Sequence, residues 1–332
     1  VGSFLNKKQM YNLDWSIEFE KEGKLMYLAL LAECEVISSV ENLADVATII
    51  LPESDKNAPL VEQLKNIGRG TSVIIKMGYD GNLETEFKGF IKNITTNDHS
   101  IKIECEDDLF LFRVDVKDVE MKPTSLTKIA QYVIDQIDPS YKLDCDYEIN
   151  YEKFTIHQAT GFDVLSKLQS ETTADIYFDI ENEILHIHPP YVTKGGEVYY
   201  SMQKNIEASS LEFNNKLDAK VEVTIESTDI KGNVHKVTAG TTGGDKVTRK
   251  VGAMDEASMQ KIADAELIKK SAAGYEGSFD AWLVPMVKPN YSARIKDEDY
   301  PERTAMYYVA SVTTNLSASG GKRTITPSIK LS

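Results

Sequence analysis

The chain has 332 residues, of which 42% are hydrophobic and 27% charged, with a formal net charge of −15. That length accommodates two or three domains with separate cores, and the acidic balance argues against a face that grips nucleic acid, which needs clustered Lys and Arg. No run approaches the roughly 18 apolar residues of a membrane span, and the start, Val1-Gly2-Ser3, lacks the basic-then-apolar layout of a signal peptide.

Up to about residue 115 the pattern is that of β-structure. In Val73-Ile74-Ile75-Lys76-Met77-Gly78-Tyr79 the odd-numbered positions are all apolar or aromatic, and in Ile101-Lys102-Ile103-Glu104-Cys105-Glu106 apolar and charged residues alternate strictly. This is the period of a half-buried strand. Asp80-Gly81 and Asn97-Asp98-His99 supply turn chemistry between runs. A short helix is expected from Pro59 to Ile67, with Leu60, Leu64 and Ile67 at helical spacing and Gly68 at its end. Three scattered cysteines, Cys34, Cys105 and Cys145, fit neither a disulfide framework nor a metal cluster and read as small buried residues.

The period then changes. From Ser125 to Ile137, Leu126, Ile129, Ala130, Val133, Ile134 and Ile137 form an amphipathic helical stripe, stopped before Pro139. A second helix is expected from Thr160, whose hydroxyl caps it while Asp163 reaches back, with Phe162, Leu165 and Leu168 facing inward. Ala174–Ile180, the turn Glu181-Asn182-Glu183 and Ile184–His188 read as a β-hairpin closed by Pro189-Pro190. Past residue 205 strands return: Leu217, Ala219, Val221, Val223 and Ile225 alternate with Lys220, Glu222, Thr224 and Glu226. A long Gly/Thr-rich loop is expected at 227–250. A helix follows from about Asp255 to Ala272, with Met259, Ile262, Ala263 and Leu267 on one face, and then strands through Tyr307–Val312 and Ile325–Ile329. The fold class is therefore α+β, mainly β. The two β regions share an order of helix, strand, long strand, turn and strand, as an internal duplication would give.

Four groups of residues are candidates for chemistry. His186 and His188 lie two apart on a strand, hence on one face, and are of metal-ligand type. No third ligand is near in sequence, and the pair reads as part of a hairpin face. Ala239-Gly240-Thr241-Thr242-Gly243-Gly244-Asp245-Lys246 departs from a phosphate loop, because Asp245 separates glycine from lysine and no Ser or Thr directly follows Lys246; it reads as a hairpin or interdomain loop. The clusters Glu104-Cys105-Glu106-Asp107-Asp108 and Asp297-Glu298-Asp299 contain the paired carboxylates a glycosidase uses. Neither comes with an apolar pocket motif to raise one pKa, so both read as solvated, and the second lacks the Asp-x-Asp-x-Asp-Gly pattern of a calcium loop. With no local Ser/His/Asp or Cys/His signature, the reading is not an enzyme: no catalytic, cofactor-binding or metal-binding residue, and no cofactor.

The segments Gly70–Ile75 through Gly78-Tyr79, Phe87-Lys88-Gly89-Phe90-Ile91 and Ile101–Asp107 resemble the late-control D family of phage tail proteins, the baseplate hubs of contractile tails, related to the first domain of type VI secretion spike proteins. Thr124–Ile137, Gly161-Phe162-Asp163-Val164-Leu165, Ala174–Phe178 and Tyr307–Leu331 resemble it too, so the likeness spans nearly the whole chain. It implies two tube-like β-barrel domains, at 1–118 and 205–332, around a helix/β-hairpin α+β module at 119–204. It further implies a homotrimeric ring that adapts a sixfold tail tube to a threefold spike. The partners are then copies of the chain itself, a tail tube protein and a spike protein, with no membrane span, and DNA passes through an acidic lumen without specific binding. Such a protein belongs to the virion tail or baseplate of a phage or prophage, assembled in the bacterial host cytoplasm. The end at Ser332 without a β-helical repeat favours a hub with a separate spike over the hub domain of a type VI-like spike. The other alternative is a β-rich cell-wall or carbohydrate-active enzyme.

Overall fold

The structure, a computed structural model, describes residues 11–52, 67–96, 100–179, 181–193, 195–216 and 220–331. The helix expected at 59–67 lies, apart from Ile67, outside these residues, as do the turn Asn97-Asp98-His99 and the first positions of the strand expected from Leu217.

Period-2 alternation builds the first β unit. Its strands lie in the spatial order Glu33–Ser39, Val46–Pro52, Ser100–Glu106, Asn82–Thr96, Ser72–Tyr79, Leu13–Lys21, Lys24–Tyr27, each antiparallel to its neighbours. Val73, Ile75 and Met77 point into a core with Ile17, Phe19, Ile49, Leu51, Phe87 and Ile103. Asp80 and Gly81 both have positive φ, 52° and 78°, the two-residue turn whose twist matches its flanking strands. Cys34 and Cys105 are buried in the same core, Cys145 is half-buried, and all three are free thiols.

The second β unit runs Glu197–Ser201, Ser292–Lys296, Ala305–Ser317, Gly320–Lys330, Phe279–Ala281, Ala208–Ser209 over a core of Tyr200, Phe279, Ile295, Tyr307, Val309 and Ile325. Strand Ala305–Ser317 joins the units. Its first residues pair with Ser292–Ile295, and Ser311–Ser317 pair with Glu33–Ser39 of the first unit. Among the described residues, one 15-stranded sheet thus runs through both. The strand bends at register breaks around Val309, opposite Pro327. Proline has no N–H for the ladder. Val309 turns its backbone instead to the preceding loop, donating to the Tyr291 carbonyl at 2.9 Å and accepting from the Asn290 N–H at 3.0 Å.

Between the units lies the α+β module. Helix α1, Leu126–Ile137, is capped by Ser125 and buries Leu126, Ile129, Ala130, Val133 and Ile134. Helix α2, Gly161–Thr172, opens with the expected reciprocal cap, in which Thr160 and Asp163 each bond the other's backbone N–H. The hairpin Asp175–Asp179 and Ile184–His188 forms as expected, and gains a third strand, Lys142–Cys145, parallel to Ile184–His188.

The loop expected at 227–250 is mostly strand. Val234–Gly240 and Asp245–Val251 flank Val221–Thr228, one antiparallel and one parallel to it. The chain passes beneath the end of the central strand within residues 241–244. A Cβ at Gly240 or Gly244 would lie 2.2 or 2.3 Å from the carbonyl oxygen of Val221 or Lys220. The glycines serve close backbone approach and not loop flexibility. Helix α3, Glu256–Ser271, packs on this sheet, and its Met259, Ile262 and Ala263 share one core with Val223, Ile225, Leu165 and Ile176. Residues 221–263 therefore pack with the middle module.

Candidate functional site at the seam of the β units

The shared sheet is locked by a buried ion pair. Arg323 lies on the inward face of strand Gly320–Lys330, in line with Ile325 and Ile329. Its guanidinium binds Glu86 of the first unit at 2.8 and 2.5 Å, and both side chains are nearly inaccessible, 2% and 3% exposed. The remaining three donors go to the Leu283 carbonyl at 2.9 Å, the Thr314 hydroxyl at 3.0 Å and the Met286 sulfur at 3.0 Å. A charge pair with its donors this fully used is tolerable in a low-dielectric site. The middle module is clamped to the second unit by a second buried contact, Tyr308 donating its hydroxyl to Asp175 at 2.5 Å. Burial pushes the Asp175 carboxyl up to about 7, against the opposing effect of the Tyr308 hydroxyl.

Beside this seam opens a cleft of about 460 Å³, lined by Asp45, Glu86 and Lys88 of the first unit, Lys288 and Arg323 of the second, and Asp144, Tyr177, His186 and His188 of the module. His186 and His188 share a face, as expected, but they are not an isolated pair. The parallel strand sets Asp144 opposite His186, and His186 Nδ1 lies 3.1 Å from the Asp144 carboxylate and 3.2 Å from His188 Nε2. Burial, then the neighbouring His188, hold the His186 imidazole below its ordinary pKa. Behind it, His188 Nδ1 lies 2.6 Å from Asp146. Neither Asp144 nor Asp146 is legible as a partner in sequence, because each pairing spans 42 positions.

The acidic run 104–108 is a solvated face only at Glu104, whose side chain is 38% exposed. Glu106, Asp107 and Asp108 are 0%, 5% and 4% exposed. The strand ends at Glu106 and the chain turns inward toward the module through the short turn Asp108–Phe110. Each carboxylate has a partner there. Glu106 pairs with Arg113, and with Lys92 at 3.1 Å. Asp107 accepts from the Leu109 and Asp45 N–H groups, each at 3.0 Å, and Asp108 from the Tyr141 hydroxyl at 2.5 Å. Burial and then the Asp45 charge push Asp107 well above the carboxylate range, and burial raises Asp45 to about 6. Asp297 is a turn former, accepting from the N–H groups of Asp299 and Tyr300 at 3.0 and 3.1 Å. Residues 239–246 end one strand and begin the next around the crossover.

Compared with solved structures, the chain is similar along almost its entire length to a tail protein from Neisseria meningitidis MC58, at 13% identity and TM-score 0.65, covering 96% of this chain and 97% of that one. It is similar in the same way to the 43 kDa tail protein of prophage MuSo2 from Shewanella oneidensis, at 16% identity and TM-score 0.63, covering 95% and 98%. It has the fold of phage tail proteins. The same fold extends to the E. coli c3393 protein, a type VI secretion component described as structurally similar to the T4 tail proteins gp27 and gp5, at 11% identity and TM-score 0.60, covering 98% of this chain and 76% of that one. No family model matches the chain, and a search of curated proteins found no match. The likeness anticipated from strand order, glycines and aromatics thus holds at the level of fold, where it survives such low identity. Among the described residues no helix is long and apolar enough to cross a membrane.

Proposed function

We propose that the chain is a structural subunit of a phage-type tail, acting in its baseplate hub and not as an enzyme. The observation that carries this reading is the fusion of two β units into one sheet through Ser311–Ser317 and Glu33–Ser39, in a fold that matches tail proteins end to end. Two β units in one chain let three chains present six such units, which is how a threefold ring meets a sixfold tube. In this proposal each unit is a tube-like barrel, with residues 221–263 packed on the module between them. The partners are two further copies of the chain, a tail tube protein and a spike protein, and the place is the virion tail, assembled in the host cytoplasm.

Two further features support it. Among the described residues, strand Lys24–Tyr27 ends the sheet, with Leu25 and Tyr27 50% and 62% exposed, an edge of the kind that ring closure covers. The net charge of −15 suits a lumen that repels phosphate and lets DNA slide. The type VI secretion likeness keeps the hub domain of a secretion spike as the second reading. Multi-angle light scattering of the purified chain at tens of micromolar, alone and with tube and spike proteins, is expected to give a trimer. A monomer under all these conditions refutes the ring, and lysis on a cell-wall zymogram refutes the non-enzymatic role.

A further inference from the structure

We propose that Asp144, His186 and His188 form a binding site for a divalent transition-metal ion of the zinc class, open to the cleft beside the seam. The inference stands on local geometry and does not depend on the hub reading. Three donor atoms converge from two parallel strands. His186 Nδ1 is 3.1 Å from Asp144 Oδ2 and 3.2 Å from His188 Nε2, and the third edge, His188 Nε2 to Asp144 Oδ2, is 3.7 Å. Zinc bonds of about 2.0–2.1 Å in a tetrahedron place its ligand atoms about 3.3 Å apart. The triangle therefore already has the dimensions of one face of such a site, and the cleft leaves room for a fourth ligand.

The rings are also held for this task. His188 Nδ1 meets the Asp146 carboxylate at 2.6 Å, which places the proton on Nδ1 and leaves the Nε2 lone pair facing the other two donors. A carboxylate behind a histidine is the outer-shell arrangement that orients metal ligands and raises their basicity. The Tyr177 ring stacks on His186 with centroids 5.0 Å apart and planes 15° apart, and the Tyr177 hydroxyl is itself anchored by Asn290 at 3.0 Å. Two imidazoles and one carboxylate favour zinc and its neighbours in the first transition row over calcium or magnesium, which take oxygen donors. Without an ion, a hydrogen bond from His186 holds the same atoms together. Metal uptake exchanges that bond for coordination and ties the strand Lys142–Cys145 to the hairpin.

The test uses the full chain, stripped with a chelator and titrated with zinc chloride by calorimetry, and with cobalt(II) as a spectroscopic probe. One ion per chain with micromolar or tighter affinity is expected, and visible cobalt bands of tetrahedral intensity. Asp144→Ala and His186→Ala are each expected to weaken binding by tenfold or more. The Asp144 side chain is 56% exposed, so its loss leaves the fold intact, as a circular dichroism spectrum matching the parent checks. Asp146→Asn is expected to weaken binding by about 10–100-fold through the His188 ring, and zinc is expected to raise the melting temperature of the parent but not of His186→Ala. Uptake with unchanged affinity in Asp144→Ala and His186→Ala, meaning ions held only by the acidic surface, overturns the proposal. So does the absence of saturable micromolar uptake by the parent chain.

Discussion

Arg323→Met tests whether the buried ion pair holds the two β units together. Methionine keeps much of the length and the apolar stem of arginine, but leaves Glu86, 3% exposed, without its counter-ion. Breaking a buried pair from one side costs about 3–5 kcal/mol, because the orphaned charge stays desolvated. An unfolding entropy of about 2.1 cal/mol/K per residue, over 332 residues, makes that a fall in melting temperature of about 4–7 °C. Glu86→Leu is expected to cost a similar amount by orphaning Arg323. The double variant Glu86→Leu/Arg323→Met carries no buried charge, and most of the loss is expected to return. The assay is a double-mutant cycle by thermal or denaturant unfolding, with unchanged denaturant slope as the check on cooperativity. A single-variant loss below about 1 kcal/mol, or a double variant as unstable as the two losses added, refutes the reasoning.

The Asp175 carboxyl gives stability a pH dependence. Its folded-state pKa of about 7 lies above the ordinary 3.8, so the folded chain holds this proton more tightly than the unfolded one. The stabilisation is complete below about pH 4 and declines as pH rises to about 7, by at most about 4 kcal/mol. Raised values at Asp45 and Asp107 act in the same direction. Asp175→Asn is expected to flatten the slope of stability between pH 4 and 7, and an unchanged slope in denaturant melts counts against the assignment. Thr160→Ala removes the hydroxyl that accepts from the Asp163 N–H at 3.1 Å, and is expected to cost about 1 kcal/mol, read in the same melts.

Much of the local structure was legible because its causes lie within a few residues. Alternation at 73–79 and 101–106 depends only on the two-residue period of a strand, the turn at Asp80-Gly81 on residues that tolerate positive φ, and the reciprocal cap at Thr160 and Asp163 on a three-residue reach. All of these appear in the structure, except that Glu106, closing the second run, is buried instead of facing out. The tail-protein fold was legible for a related reason, since the order of such elements persists where residue identity does not.

What only the tertiary structure decided involves partners far apart in sequence. Strand Ala305–Ser317 pairs with Glu33–Ser39, so that Asn315 meets Glu33 across 282 positions; no local period records which open edge a strand will find. The run Glu106-Asp107-Asp108 is as acidic as a solvated face, and its burial depends on Arg113, Tyr141 and the Asp45 backbone. Gly240 and Gly244 are indistinguishable from loop glycines until the Val221 and Lys220 carbonyls lie against them. His186 and His188 were visible as a pair, whereas Asp144 and Asp146 came to them through a parallel strand whose register is set by the core around Leu185 and Ile187. Short-range geometry is written in the order of residues. Long-range register is a compromise among many buried contacts, and it exists only once the chain has folded.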